Sequence, residues 1–325
     1  METDHMAPTS LKCEKCNLVS EAGERYCASC SKYLAVPPGA AHGDLLQLSA
    51  EDFLTTVAEG LPLILDNAKR LWAEASLASQ AGAERGACIL QAFAEEEAAK
   101  GLLLLDALRC PTSMREQYLR LLRAFDQHVP KGVYVRYYNT SPADMVEVRH
   151  IVDSYRQGFV REGEYGEYIL PNEIKTNRES QLYVSYVRYD DGSHLWSSPR
   201  EPFHFSVHNQ STVIRLLGAF QGAGLFEPKA LRLFREYWQA IPFEDIGNDP
   251  MSKALESSTR WPQLTKLNFG MLQLLEQRGR IKPECSQEDA ETIYHYLLFP
   301  LYAFDLAESR NFRDLPPPDS PYDYY

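Results

Sequence analysis

The sequence predicts a mainly α-helical protein with a small β-hairpin insertion and a separate cysteine-rich segment at its N-terminus. Apolar residues recur at three- and four-residue intervals through most of the chain after residue 49, which is typical of helices with one buried face. One stretch at about 181–208 is instead rich in β-branched and aromatic residues. Residues 1–36 show almost no aliphatic periodicity and hold four of the seven cysteines.

These patterns divide the 325 residues into five segments. The Pro-Pro-Gly run at 37–39 indicates a linker, and the proline-rich, acidic C-terminus indicates a disordered tail. The expected segments are a cysteine-rich segment at 1–36, a linker at 37–48, a helical domain at 49–225, a C-terminal helical subdomain at 226–315 and a tail at 316–325.

The cysteines of the first segment have the spacing of a metal site. They form two Cys-x2-Cys pairs, separated by ten residues: Cys13 with Cys16, and Cys27 with Cys30. Two such pairs complete the tetrahedral four-sulfur shell that Zn²⁺ prefers, and a full shell leaves no open position for a substrate. We therefore expect a structural Zn²⁺ that holds a short zinc ribbon together. The isolated cysteines are expected in the core or at neutral positions: Cys88, Cys110 and Cys285.

The helical domain opens with a capping-box pattern at Ser49–Asp52. Gly60-Leu61-Pro62 is expected to end a short first helix and to begin another. The next helix, about Ala83–Leu108, has apolar residues on both sides, which predicts that both sides are buried. Glu96 and Lys100 would then lie in a second packed surface, such as a subunit interface.

Further elements follow from the same periodicities. A third helix is predicted at about Ser113–Gln127, with Pro130 and Gly132 stopping it, and a fourth at Asp144–Val160. The β insertion is predicted to pair the strand Leu182–Tyr189 with His194–Trp196 across an Asp-Asp-Gly turn, with a third strand at 203–207. Helical spacing returns at 212–220, 229–240, 264–277 and 288–308.

Charge limits the classes of function. The chain has 33 basic and 45 acidic residues, a formal net charge of −12, which argues against nonspecific coating of nucleic acid or of an anionic membrane. No apolar stretch is long enough to span a bilayer and no signal peptide is visible, so we expect a cytoplasmic protein. Residues 115–136, the basic strip, are net positive in contrast to the whole chain, with five basic and two acidic side chains.

Two pairs of charged residues are candidates for chemistry. Arg123 and His128 form an Arg-x4-His string in the basic strip, and Glu96 and Lys100 form a Glu-x3-Lys pair on the second helix. His can accept or donate a proton near neutral pH, and Arg provides a fixed cation, but an Arg-x4-His string arises by chance in a chain of this composition and by itself indicates no reaction. On a straight helix the five-residue offset separates the Arg and His side chains by about 140°, so they converge only if the helix breaks near His128.

The order of these motifs resembles that of a known family. Residues 87–104, with Glu96-Glu97-Ala98-Ala99-Lys100, resemble the EExxK helix of the AbiV family of abortive-infection (anti-phage) proteins. Phe125-x2-His128-x2-Lys131 is similar to an F-x2-H-x2-K element of that family, and Lys175-x2-Arg178 before Leu182-Tyr183-Val184 is similar to its strand region. The resemblance covers about residues 60–225.

The AbiV family looks like part of the HEPN class of helical domains. Where active, these are metal-independent ribonucleases whose site is assembled from both protomers of a dimer. The resemblance therefore implies a homodimer, RNA as substrate, a possible phage protein as trigger and no catalytic metal. It implies His128 as acid–base residue and Arg123 on the transition-state phosphate, with Glu96 and Lys100 orienting the Arg or binding phosphate. Lys131 and Arg120 of the basic strip are the candidate substrate-binding residues.

Other interpretations remain open from the residues. His128 could be a helix C-terminal residue favoured by the helix dipole, and Glu96 with Lys100 could be a structural ion pair. The protein could then be a non-catalytic module that senses a phage protein or blocks translation. It could also be a helical scaffold whose zinc ribbon recruits partners.

Overall fold

The computed structural model describes residues 10–12, 19–21, 45, 48–140, 142, 145–163, 166–170, 172–188, 192–199, 210–241 and 262–314. The chain divides into two compact units, Met1–Leu45 and Leu46–Tyr325. In the first unit, strands β1 (Ser10–Lys12) and β2 (Val19–Glu21) pair antiparallel. Several predicted features lie outside the described residues: the zinc ligands Cys13, Cys16, Cys27 and Cys30, the strand at 203–207 and the tail at 316–325.

The second unit begins with a long helix, α1 (Ala50–Gln80). The Ser49 hydroxyl caps this helix by accepting a hydrogen bond from the Asp52 N–H at 3.1 Å, as the capping pattern predicts. The predicted break at Gly60–Pro62 is wrong, because Pro62 lies inside one continuous helix. The buried stripe runs through the proline turn as Val57, Leu61, Ile64, Leu65 and Ala68. Packing along this stripe outweighs the backbone hydrogen bond that the proline removes.

Helix α2 (Glu84–Arg109) is the central helix of the unit and agrees with the predicted 83–108. It contacts α1 along its length and several later helices on its other sides. Residues 98–109 are buried all round apart from Lys100. The prediction that a helix apolar on both sides is buried on both sides is therefore confirmed for this half of α2, whereas Ile89 and Phe93 of its N-terminal half are half-buried.

The third predicted helix is two helices in the structure, α3 (Arg115–Ala124) and α4 (His128–Tyr138). The chain does break near His128, but the break precedes it. The prediction that Pro130 and Gly132 stop a helix is wrong, because both lie inside α4. Pro130 is the third residue of α4, where a backbone N–H has no partner within the helix.

The fourth predicted helix is too long at its C-terminal end. Helix α5 spans Met145–Arg156, and the chain then forms strand β3 (Gln157–Gly163), which pairs antiparallel with β4 (Gly166–Leu170). Helix α6 (Glu173–Leu182) follows, capped by the Asn172 side chain. Neither β3, β4 nor α6 is predicted from the sequence.

The predicted hairpin is confirmed by strands β5 (Ser185–Arg188) and β6 (His194–Ser197). They pair antiparallel, with Tyr186 directly opposite Trp196. Gly192 has φ +81° in the connecting turn, a conformation that favours glycine. Helix α6 takes Leu182, so the first strand begins later than predicted.

The described residues of the C-terminal part include helices α7 (Thr212–Gly222), α8 (Pro228–Gln239), α9 (Pro262–Gln277) and α10 (Gln287–Tyr296). The first three agree with the predicted helical spacing, and the predicted boundary after residue 225 falls between α7 and α8, within the second unit. The prediction of a helix to residue 308 is wrong, because α10 ends at Tyr296. No helix among the described residues is long and apolar enough to cross a membrane.

Residues 297–308, the C-terminal segment, are irregular and lead into β7 (Ser309–Asp314), which pairs parallel with β3. A buried network holds this segment on α2. The Asp106 carboxylate accepts hydrogen bonds from the Leu301 N–H and the Tyr134 hydroxyl, both at 2.7 Å. Arg109 donates to Asp106 at 3.0 Å and to the Leu298 carbonyl at 2.8 Å. These contacts with α2 replace the helical hydrogen bonds that an extended α10 would form.

Candidate active site

Glu96 and His128 come together from two different helices. Glu96 lies in the middle of α2, and His128 is the first residue of α4. The imidazole Nδ1 lies 2.7 Å from the Glu96 Oε2. Because a carboxylate can only accept a hydrogen bond, Nδ1 carries the hydrogen, and Nε2 is left available. The His128 side chain is 47% exposed and that of Glu96 only 12%, so a mostly buried carboxylate orients an accessible imidazole.

Lys131 shares the same carboxylate. It lies three residues after His128 on α4, and its Nζ is 3.4 Å from the Glu96 Oε2. The Lys131 side chain is 7% exposed. The residue predicted to bind substrate therefore directs its ammonium group towards Glu96, from a buried position.

Lys100 has a different partner from the one that the sequence predicts. Its Nζ lies 2.7 Å from Glu97 Oε2, and among the described residues no ion pair joins it to Glu96. The ammonium group also lies 5.4 Å from the centre of the Phe125 ring. Lys100 therefore remains beside the α3–α4 break, held by Glu97 rather than by Glu96.

The interpretation of His128 as a helix C-terminal residue is wrong. His128 opens α4, where the helix dipole disfavours a positive charge. The nearby Glu96 carboxylate acts in the opposite sense. The contact with Glu96, rather than the dipole, accounts for the position of the imidazole.

The two arginines of the predicted site lie on α3. Arg120 and Arg123 are both exposed, and neither forms a hydrogen bond or ion pair with another described residue. Arg123 is in the last turn of α3, separated from His128 by the residues of the helix break. Within one chain, the predicted catalytic residues thus form a closely bonded Glu96–His128 pair and a separate, exposed arginine.

A groove of about 450 Å³ opens beside His128. Its walls come from the α3–α4 break, the first turn of α4, α6 and the C-terminal segment. The charged or polar lining residues, besides His128, are Asp126, Gln127, Lys175, Glu179, Tyr183 and Glu308. Lys175 pairs with Glu308 at 3.5 Å. The lining therefore carries three carboxylates against one lysine, and this groove by itself is a poor site for a phosphate group.

The β5–β6 hairpin exposes a cluster of apolar side chains. Tyr186 and Trp196 are 59% and 69% exposed, and their ring centres lie 4.9 Å apart. The His194 ring stacks on Tyr186 at 5.6 Å, and Leu195 is also exposed. Exposed aromatic clusters of this kind are typical of interaction surfaces.

The described residues contain no group of three or more His, Cys, Asp and Glu side chains that could hold a metal ion. The predicted zinc ligands lie outside that part of the chain. Cys88 and Cys110 are buried free thiols, as predicted for core positions. Burial raises the pKa of Cys88 to about 11 and that of Cys110 to about 12.

Sequence reasoning finds Glu96 and His128 but not their contact. The i,i+4 spacing favours Lys100 as the partner of Glu96, whereas tertiary packing of α4 on α2 supplies His128 and Lys131. It also misses the groove residues Glu179 and Glu308. No local pattern marks them, because α6 is not predicted and Glu308 arrives with the irregular C-terminal segment.

Residues 56–204 match the model of a family described as AbiV, a domain of HEPN type. The matched residues run from α1 to just beyond β6 and include both helices of the Glu96–His128 contact. No curated protein and no solved structure matches the chain. The match covers less than half of the chain, and it supports the AbiV resemblance for residues 56–204.

Proposed function

We propose that this chain is a cytoplasmic, metal-independent endoribonuclease of abortive infection that acts as a homodimer. The observation that carries the proposal is the hydrogen bond from His128 to Glu96, because it leaves Nε2 of an accessible imidazole available for proton transfer. The match of residues 56–204 to the AbiV family supports the abortive-infection role, and the order of the charged residues supports the reaction type.

In the proposed reaction, His128 acts on the 2′-hydroxyl of RNA. Nε2 takes the hydroxyl proton, the 2′-oxygen attacks the adjacent phosphorus, and the bond from phosphorus to the 5′-oxygen breaks. The products are a 2′,3′-cyclic phosphate and a 5′-hydroxyl, whose proton comes from water. Arg123, whose guanidinium pairs with no described residue, would bind the phosphate oxygens as negative charge develops there.

The homodimer is part of the proposal because the groove beside His128 is acidic within one chain. The groove beside His128 has three carboxylates and one lysine, whereas the exposed arginines lie on α3. A second chain that brings its α3 towards this groove would supply Arg120 and Arg123. The site would then combine the Glu96–His128 pair of one protomer with the cations of its partner.

We also propose that Cys13, Cys16, Cys27 and Cys30 bind a structural Zn²⁺. The described strands support this, because β1 ends directly before Cys13 and its partner β2 begins shortly after Cys16. The first cysteine pair thus lies between two paired strands in the sequence, as in the hairpin of a zinc ribbon.

The test compares RNA cleavage by the wild-type chain and by His128→Ala in the presence of EDTA. We expect the substitution to lower the rate about 10²- to 10⁴-fold, the usual contribution of a general acid–base group. His150→Ala is the matched control, because His150 is an exposed histidine on α5 and does not line the groove beside His128. Mass spectrometry of the products should show cyclic phosphate ends.

Metal analysis before and after EDTA treatment belongs to the same experiment. We expect one zinc per chain before treatment and ribonuclease activity that does not follow zinc content afterwards. Equal cleavage by the wild type and His128→Ala, or no cleavage by the wild type with RNA from infected cells, would contradict the ribonuclease proposal.

The exposed hairpin favours a second candidate, a non-catalytic protein that senses a phage protein or blocks translation. The aromatic cluster of Tyr186 and Trp196 has the composition of a protein-docking surface. In a phage-infection assay, this function predicts protection that survives His128→Ala and is lost with Trp196→Ala. The ribonuclease proposal predicts that His128→Ala abolishes protection.

A further inference from the structure

Lys131 is a buried lysine at the edge of the candidate active site. The residue is 6% exposed, and its ammonium group lies 3.4 Å from Glu96 Oε2, the oxygen that also accepts the His128 hydrogen bond. Among the described residues, Glu96 is its only ion-pair partner. A lysine in this position cannot reach a phosphate in the groove without leaving a mostly buried carboxylate without its cation, which is costly.

We propose that Lys131 is a positioning residue, which acts through Glu96 to keep His128 in the neutral form with its hydrogen on Nδ1. Lys131 and Glu96 together carry no net charge, so the Glu96 carboxylate can hold the imidazole by a hydrogen bond without requiring it to be positive. Nε2 then keeps its lone pair. The role of Lys131 in catalysis rests on the proposed ribonuclease function, whereas its effect on the His128 imidazole is independent of that function.

Removal of the Lys131 charge changes this balance. Glu96 would have His128 as its remaining cationic partner and would favour the doubly protonated ring, whose Nε2 cannot accept a proton. The other charged groups that face His128 are Asp126 on the helix break, Lys175 and Glu179 on α6 and Glu308 on the C-terminal segment. These side chains are exposed, so water screens their charges more than it screens the buried Lys131–Glu96 pair.

The first test is ¹⁵N NMR of the histidine ring near neutral pH, with the His128 signals assigned by their absence from His128→Ala. The wild type should show a protonated Nδ1 and an unprotonated Nε2. Lys131→Met keeps the aliphatic stem and removes the charge, and we expect it to lose the unprotonated Nε2 signal. Lys266→Met, at an exposed lysine of α9, is the matched control and should leave the His128 signals unchanged.

The second test separates positioning from substrate binding. If Lys131 acts through Glu96, Lys131→Met lowers kcat for RNA cleavage on the order of 10-fold and leaves KM unchanged. A phosphate-binding lysine would instead raise KM. In a Glu96→Gln background, Lys131→Met should have no further effect on kcat or on the ring signals, because the group through which it acts is gone.

A folded Lys131→Met chain with wild-type ring signals overturns the inference. Far-UV circular dichroism and thermal unfolding establish that the variant is folded. If Lys131→Met does not fold, the double variant Glu96→Gln/Lys131→Met is measured instead, because it leaves no buried carboxylate unpaired. Histidine ring signals of the double variant that differ from those of Glu96→Gln then overturn the inference. A wild type that cleaves no RNA removes the ribonuclease proposal but leaves the NMR test of Lys131 intact.

Discussion

Glu96 connects the two other polar residues of the candidate site, because one of its carboxylate oxygens contacts both His128 and Lys131. The spacing on α2 suggests Lys100 as its partner, but Lys100 pairs with Glu97 instead. A surface pair at i,i+3 or i,i+4 contributes only about 0.2–0.5 kcal/mol, so helix spacing is a weak guide to ion pairing. In this site, contacts between helices α2 and α4 determine which residues pair with Glu96.

At the residue scale, the raised pKa of Cys110 has a direct consequence. Burial and the nearby Asp106 raise this pKa to about 12, so the thiol stays protonated at pH 8 and the reactive thiolate is scarce. We expect iodoacetamide to modify Cys110 slowly in the native protein at pH 8 and rapidly after unfolding in urea. Peptide mass spectrometry measures both rates.

The half-buried Cys285 provides the internal comparison for that measurement, because it is the more accessible thiol. We expect it to react before Cys110 in the native protein. Rapid native modification of Cys110, at a rate near that in urea, would show that the end of α2 is not packed as described.

At the element scale, the Asp106–Arg109 network should dominate the attachment of the C-terminal segment to α2. Asp106→Ala leaves the buried Arg109 guanidinium without its carboxylate and the Leu301 N–H without its acceptor. We expect the free energy of unfolding to fall by about 3–5 kcal/mol, the usual effect of breaking a buried ion pair. Urea denaturation followed by circular dichroism measures it.

Asp305→Ala is the matched control, because Asp305 is a 52%-exposed carboxylate of the same segment that pairs with Arg156. Loss of this exposed ion pair should lower the free energy of unfolding by less than about 1 kcal/mol. Asp106→Leu combined with Arg109→Met should recover much of the stability, since no buried charge is then left unpaired. Equal effects of Asp106→Ala and Asp305→Ala would contradict the role of the buried network.

The elements that the sequence predicts are those whose pattern is local. Helices α1 and α2 follow from three- and four-residue apolar spacing, and the β5–β6 hairpin follows from β-forming residues around a Gly turn. Strand β3 is missed because its parallel partner β7 lies far along the chain and neither strand has clear alternation. Helix α4 is missed because Pro130 and Gly132 suggest that a helix stops there. The end of α10 is missed because it is determined by contacts between the following segment and α2.

At the scale of the whole molecule, the site is only partly predictable for the same reason. The motifs select Glu96 and His128 from the 325 residues, but their contact depends on how α4 packs against α2. The distribution of charge over the surface is also a property of the whole molecule. The exposed arginines of α3 and the acidic groove beside His128 have opposite signs, a complementarity that a second copy of the chain could use.

The proposed dimer makes a quantitative prediction for mixed chains. Arg123→Ala and His128→Ala should each be inactive alone, but if Arg123 of one protomer serves His128 of its partner, a mixed dimer retains one intact site. After random exchange of subunits, the mixture should recover about a quarter of the wild-type activity per site. Mixing Glu96→Gln with His128→Ala is the matched control and should show no more activity than the two variants measured separately, because Glu96 contacts His128 within one chain. Analytical ultracentrifugation should show dimers in each mixture. A dimeric Arg123→Ala/His128→Ala mixture that stays inactive would place both residues of the site in the same protomer.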